Sequence, residues 1–254
     1  MSRRRIVVAG AASGIGAATF DALAVSGCHC LAVDHNTAVA FDTLGCDLSD
    51  EASIAATCEA IEAPIDGLAY VAGAPGTLAA ETVLRVNYLG ARRFIETLTP
   101  KFREGASVVM VSSLAARRCL WEPARLRAAL AVSDWTKALE VFRARELSGG
   151  EAYELSKRLL LAWLPHAAAD GLARRIRFNV VTPGPVETPM LPAFRESMGV
   201  ERIEAARAMI GRYARAEEVA APIVFLLDPS ASWVNGVEIV ADGGLYALRE
   251  ALAG

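Results

Sequence analysis

The stretch Arg5-Ile6-Val7-Val8-Ala9-Gly10-Ala11-Ala12-Ser13-Gly14-Ile15-Gly16 decides the fold. It opens as a short apolar, β-branched run and breaks into a loop carrying three glycines. A residue without Cβ permits the tight turn and lets the backbone close on a pyrophosphate, whose charge the amides of a following helix N-terminus hold. Ala17 to Ser26 reads as that helix, with Phe20 and Leu23 turned inward. A second apolar run, Cys28 to Val33, ends at Asp34 and completes a βαβ unit of mononucleotide-binding length. A bare glycine pattern is weak evidence; one set between strand and helix meets the mechanical requirement.

Working outward, apolar runs at Gly67 to Ala72, Ser107 to Ser112, Ile176 to Val181 and Val237 to Val240 alternate with helical stretches. Continuous rather than alternating hydrophobicity marks strands buried on both faces of a parallel sheet. The expected fold is α/β: a single doubly wound Rossmann-type domain over residues 1–254, its parallel sheet flanked by helices, with no linker or repeat. A 54% hydrophobic composition suits a full core, and 26 basic against 29 acidic residues leave a net charge of −3, so nothing advertises a nucleic-acid partner.

Arg3-Arg4-Arg5 before an apolar run superficially suggests a signal peptide, but Gly10 ends that run at once. No stretch approaches the roughly 18 apolar residues of a membrane span. Five cysteines without Cys-x-x-Cys spacing read as buried thiols in a reducing cytoplasm, and three scattered histidines offer no metal site.

Tyr153 and Lys157, in Tyr-Glu-Leu-Ser-Lys, lie four apart and so share one helix face. An ammonium beside a phenol favours phenolate and lowers its pKa from about 10, making the tyrosine a usable general acid or base. At the end of the second strand, the Asp34 carboxylate can accept ribose hydroxyls and repel a 2′-phosphate, which favours NAD over NADP.

The glycine loop, Asp47-Leu48, Ala72-Gly73, Asn87 within Val-Asn-Tyr, Ser112-Ser113, Tyr153 with Lys157, and Pro183-Gly184 with Thr188 occur in one order. In that order the chain resembles the classical short-chain dehydrogenase/reductases, from about Arg5 to Leu248. The resemblance implies that Tyr153 donates or accepts the proton, Lys157 lowers its pKa and holds the nicotinamide ribose, and Ser113 orients the substrate oxygen. It further implies that Asn87 anchors a water relaying protons from Lys157. Gly10, Ser13, Gly14, Ile15 and Gly16 would take the pyrophosphate, Asp34 the ribose, and Asp47 and Leu48 the adenine. Ala72, Gly73, Pro183 and Gly184 complete the cofactor cradle, and Val186 with Thr188 would hold the carboxamide. Taken alone, Ser112-Ser113 is an ordinary loop start, Asn87 an ordinary cap and Pro183-Gly184-Pro185 a rigid turn.

Two departures narrow the resemblance. Val71-Ala72-Gly73-Ala74 replaces the family's Asn-Asn-Ala-Gly, and the 40 positions from Ser113 to Tyr153 exceed the usual spacing. Residues 116–151 therefore read as a helical insertion before the catalytic tyrosine, with an amphipathic stripe of Val132, Trp135, Leu139 and Phe142 expected to pack on its own domain. Such an insertion is similar to that of the bacterial 3α-hydroxysteroid dehydrogenase/carbonyl reductase subgroup and the coniferyl alcohol dehydrogenases. Its placement implies a homodimer, with a homotetramer left open. Residues 188–212, carrying Met190, Leu191, Phe194 and Met198, read as a mobile apolar lid over the substrate.

The expected function is a cytoplasmic, NAD-dependent interconversion of an alcohol with a ketone or aldehyde on a bulky hydrophobic, steroid-like or aryl substrate. The alternative is a catalytically silent nicotinamide sensor or scaffold of the same fold.

Overall fold

The first apolar run forms β1 (Arg5–Ala9) in the computed structural model, which describes residues 3–39, 41–143 and 146–253. The glycine loop leads into α1 (Gly14–Val25), and β2 (His29–Asp34) returns parallel to β1 with Val7 opposite Leu31 and Ala9 opposite Val33. The strands β3 (Thr43–Gly45), β4 (Ile65–Tyr70), β5 (Phe102–Val111), β6 (Arg177–Pro183) and β7 (Glu238–Ala241) complete a seven-stranded sheet. Its order is β3-β2-β1-β4-β5-β6-β7, and every pairing is parallel. This is the doubly wound α/β arrangement that the sequence predicts. Strand order reverses between β1 and β4, which opens a crevice at the carboxyl ends of the strands.

The helices cover both faces. Ile6 and Val8 point to one side, toward Leu23 of α1 and Ile223 and Leu226 of α10 (Ala216–Leu227). Val7 and Ala9 point to the other, where Ile54 of α2 (Glu51–Ala60), Phe94 of α4 (Ala91–Leu98) and Leu160 of α7 (Gly149–Gly171) fill the core. These four β1 side chains are all fully buried, which is why the run is apolar throughout rather than at alternate positions. The expected strand Gly67–Ala72 instead ends at Tyr70, because the amides of Val71 and Ala72 both turn to the Ala9 carbonyl, at 2.9 Å each, to start the crevice loop.

The expected insertion is helical but broken. A 3₁₀ turn at Leu114–Arg118 precedes α5 (Pro123–Ala131) and α6 (Trp135–Arg143). Asp134 starts the second helix by accepting the Lys137 amide at 2.8 Å. Trp135, Leu139 and Phe142 are buried in the core beside α7, with the Phe142 ring 6.1 Å from Trp121 and 6.4 Å from Tyr88. Val132 lies just past α5 and is half-buried, so the stripe packs on its own chain but is not one continuous helical face. Ala144 and Arg145, inside the expected insertion, lie outside the described residues, as do Met1, Ser2, Ala40 and Gly254. Among the described residues no helix is long and apolar enough to cross a membrane.

The helix that carries Tyr153 and Lys157 has a well-defined start. Ser148 Oγ accepts the Glu151 amide at 3.2 Å, and Glu151 Oε2 accepts the Ser148 amide at 2.8 Å, a reciprocal capping box. Ser148→Ala is expected to lower stability by about 1 kcal/mol, read as a drop in the urea midpoint. An unchanged midpoint would show that packing alone holds the first turn of α7.

Candidate active site

The loop after β1 is shaped by contacts that only glycine allows. Gly10 has φ +87°, its amide donates to the Val33 carbonyl at 2.8 Å, and a Cβ there would sit 2.5 Å from the Ala72 nitrogen. At Gly16 a Cβ would sit 1.8 Å from the Gly10 carbonyl oxygen. The loop thus folds flat against the amino end of α1, leaving backbone amides free to face an anion. Asp34 follows directly: its Oδ2 accepts the Ala12 amide at 3.0 Å and its Oδ1 the Asn36 amide at 3.0 Å. His35 Nδ1 lies 3.1 Å from the same carboxylate. Two carboxylate oxygens offer about four acceptor positions, so capacity remains for hydroxyl donors.

A cavity of about 470 Å³ opens at the carboxyl ends of the strands. Gly10, Ser13, Gly14, Ile15, Gly16, Asp34, Asp47 and Leu48 line it on the β1–β3 side. Ala72, Gly73, Ser113, Tyr153 and Lys157 line its middle, and Pro183, Gly184, Val186 and Thr188 follow from the end of β6. Asp47 is held ionised, its carboxyl lowered below the usual carboxylate value chiefly by hydrogen bonds from Ser49, whose hydroxyl lies 2.7 Å away.

Asn87 is the exception. It is fully buried behind the cavity wall, in a π-helical turn (Arg85–Gly90) between α3 (Ala80–Leu84) and α4. Its Oδ1 accepts the Ala74 amide at 2.6 Å, while its Nδ2 donates to the Ala74 carbonyl at 3.0 Å and to Ser156 Oγ at 3.2 Å. It therefore clamps the Ala72–Ala74 loop to the helix bearing Tyr153.

Tyr153 and Lys157 sit together on the α7 face that meets β5. Lys157 is buried, its Nζ donates to the Val111 carbonyl at 2.9 Å, and it lies 5.7 Å from the Tyr153 ring centroid. Burial pulls its pKa down to about 8. Ser112 Oγ donates to the Lys157 carbonyl at 2.9 Å, which fixes α7 against β5. Ser113 Oγ accepts the Ala115 amide at 3.2 Å and is hydrogen-bonded to the Tyr153 phenol.

The expected direction of the Tyr153 shift is not what the structure gives. Burial drives the phenol up to about 12, opposed only by the Ser113 hydrogen bond. Spacing places the ammonium and the phenol on one face, but it carries no information on burial. Here the Lys157 ammonium is engaged by the Val111 carbonyl.

Over the phenol lies α8 (Leu191–Met198), with the Phe194 ring 5.2 Å from that of Tyr153. Met190, Leu191, Phe194 and Met198 line the cavity together with Ile203 and Ala206 of α9 (Val200–Ile210). Several lining residues escaped the sequence reading: Arg117 and Arg118 in the turn after Ser113, Arg202 on α9, and Tyr246 and Arg249 on α11 (Leu245–Ala253). The two adjacent arginines are visible in the sequence just past Ser113, but they merge there with an Arg-rich helical stretch. Among the described residues no group of three or more His, Cys, Asp or Glu side chains could hold a metal ion.

Comparisons with known proteins point the same way. A family model described as short chain dehydrogenase matches residues 4–124, and one described as Enoyl-(Acyl carrier protein) reductase matches residues 138–246. The chain is 35% identical to a coniferyl-alcohol dehydrogenase of Pseudomonas sp. (strain HR199 / DSM 7063), over 96% of this chain and 97% of that one. It is 33% identical to a 3-alpha-hydroxysteroid dehydrogenase/carbonyl reductase of Comamonas testosteroni, over 96% of each. The crystal structure of a 3-alpha-hydroxysteroid dehydrogenase from Pseudomonas sp. B-0831 complexed with NADH superposes with a TM-score of 0.82 at 30% identity, covering 97% of this chain and 98% of that one.

Proposed function

Since the chain belongs to the short-chain dehydrogenase/reductase family, as an alcohol dehydrogenase/carbonyl reductase with a nicotinamide cofactor, we propose that the cofactor is NAD and the substrate a bulky hydrophobic alcohol or carbonyl compound. The observation that carries the NAD preference is Asp34, a buried carboxylate at the end of β2 on the cavity wall. A 2′-phosphate there would meet like charge in a site of low dielectric. The glycine loop, closed to a Cβ at Gly10 and Gly16 by its own backbone, fits the pyrophosphate of such a cofactor.

When bound, the nicotinamide supplies the hydride acceptor or donor. The rest of the chemistry falls to side chains of this chain. In the reductive direction Tyr153 gives its proton to the oxygen that gains charge, and Ser113 donates a hydrogen bond to the same oxygen. In the oxidative direction Tyr153 takes the hydroxyl proton, so it must first lose its own. Lys157, on the same helix face, is assigned the passing of that proton, and Asn87 holds the surrounding loop and helix in register. The apolar wall of Leu191, Phe194 and Ile203 supports a hydrophobic substrate, and α8 with α9 is assigned as its lid.

The catalytically silent reading is less well supported, because Ser113, Tyr153 and Lys157 all face one cavity. An enoyl reductase, which the description of the C-terminal family model names, is disfavoured by the spacing of four between Tyr153 and Lys157. We also propose a homodimer, since α5 of the inserted segment packs on α7, where family members otherwise pair, and a reducing cytoplasm, in keeping with five free cysteines.

The test is initial-rate measurement with NAD and NADP over hydroxysteroids, aryl alcohols and small secondary alcohols. NAD-linked turnover concentrated on one bulky class is expected; NAD binding without turnover of any alcohol would favour the sensor. Asp34→Ala is expected to raise the Kd for NAD about ten- to a hundredfold, the worth of hydrogen bonds to a charged acceptor, and to narrow the gap to NADP. An unchanged NAD to NADP ratio would show that Asp34 does not select the cofactor.

A further inference from the structure

The cavity wall assigned to the substrate is apolar along α8 and α9, yet four guanidiniums line the same end: Arg117, Arg118, Arg202 and Arg249. Two of them are engaged. Arg117 donates to Glu238 Oε2 at 2.7 Å and stacks 4.9 Å over the Tyr246 ring, and Arg118 Nε lies 3.1 Å from Glu154 Oε1. Arg202 and Arg249 make no hydrogen bond or ion pair among the described residues. Arg202 acts on Glu154 only at longer range, helping Arg118 to hold that half-buried carboxyl against the upward push of burial.

No acidic group at this end pairs with Arg202 or Arg249 among the described residues. Glu250 is the one carboxylate among the described lining residues here. Asp242, at the base of α11, is buried and turned to the amides of Gly244 and Tyr246, at 2.9 and 2.6 Å. Two exposed guanidiniums without a carboxylate partner among the described residues therefore stand on an otherwise apolar wall, supplied by two helices, α9 and α11, that pack against each other.

This charge is not placed for the cofactor's ribose. Asp34 ends β2, whereas Arg117 is paired to Glu238 on β7, and four strands lie between those two in the sheet. Five interstrand steps of about 4.8 Å separate them by roughly 24 Å. A 2′-phosphate beside Asp34 is out of reach of this cluster.

Resting on the dehydrogenase reading above, we propose that this end of the cavity is an anion subsite, and that the substrate is an apolar alcohol or ketone carrying a carboxylate remote from its reacting carbon. Arg202 and Arg249 receive the carboxylate, which a planar guanidinium fork matches in two parallel hydrogen bonds. Phe194, Leu191 and Ile203 take the apolar frame between that carboxylate and Tyr153.

The test is calorimetric binding to the NADH-loaded protein of two matched pairs: a hydroxysteroid with a carboxylated side chain against its methyl ester, and 4-(1-hydroxyethyl)benzoate against its methyl ester. At least one carboxylate is expected to bind about tenfold or more tightly than its ester, with the ratio falling toward one in Arg202→Gln/Arg249→Gln and in high salt. Equal binding of acid and ester in both pairs overturns the subsite, as does a ratio that survives the double substitution. Turnover of both the acids and the esters with NAD is followed in parallel and separates the two readings. Turnover without discrimination leaves the dehydrogenase and removes the subsite, whereas discrimination without turnover of either form keeps the subsite and removes the alcohol chemistry.

Discussion

Tyr153→Phe is expected to lower kcat by about 10²–10⁴-fold while NADH still binds. The substitution deletes the transferable proton and the hydrogen bond with Ser113 but keeps the ring that packs beside Phe194 at 5.2 Å. Single-turnover rates with a carbonyl substrate, set beside a fluorescence titration of NADH, measure both halves. Turnover near the wild-type rate would mean that the proton comes from elsewhere, and Lys157, with its pKa near 8, would be the group to examine.

The same lysine gives this prediction a pH arm. Lys157 loses its proton as pH rises through about 8, so any step that needs its ammonium declines above that value. Stability moves the other way. Between about 8 and the ordinary value of 10.5 the unfolded chain holds the proton that the folded chain has released, so stability rises with pH across that window.

Gly16→Ala is expected to abolish measurable NADH binding and to destabilise the fold by about 1–3 kcal/mol, the usual range for forcing a methyl group into packed space. The added carbon would sit 1.8 Å from the Gly10 carbonyl oxygen, and Gly10 cannot yield because its own approach to Ala72 is already closed. The loop must lift from α1, carrying with it the amides proposed to hold the pyrophosphate. Thermal unfolding with and without NADH reads both effects: the wild-type midpoint rises with NADH, and that of the variant stays where it is. A variant stabilised by NADH as the wild type is would place the cofactor away from this loop.

The sequence carries the cofactor half of the site more fully than the substrate half, for a physical reason. Gly10, Gly16 and Asp34 answer to backbone requirements local to one βαβ unit, so their spacing is nearly sufficient to place them. Tyr153 and Lys157 are likewise set by the helical repeat. Arg202 and Arg249 belong to amphipathic helices whose orientation is fixed only by what they pack against, and nothing in their spacing says which face meets the cavity. β3 is three residues long, too short for any periodicity, and exists because Ala32, Val33 and Asp34 offer it an edge. The rise in the Tyr153 pKa was hidden for a related reason, since burial is a property of the assembled core and spacing reports proximity alone.

The cavity also divides along the chain. Nearly everything on its β1–β3 side precedes residue 50, while α8, α9 and α11, which close the other side, all follow Pro183. The groups proposed to move the proton lie between, just past β5 and on α7. A lineage can therefore exchange the chain from α8 onward and inherit a new substrate end while the residues proposed for the cofactor, up to Thr188, stay in place. The turn bearing Arg117 and Arg118 is the one segment of the substrate end upstream of that junction. In such a chimera Arg118 keeps Glu154 on the resident α7, but the incoming β7 would have to keep an acidic partner at position 238, or Arg117 would be left as an unmatched charge in the recombined protein.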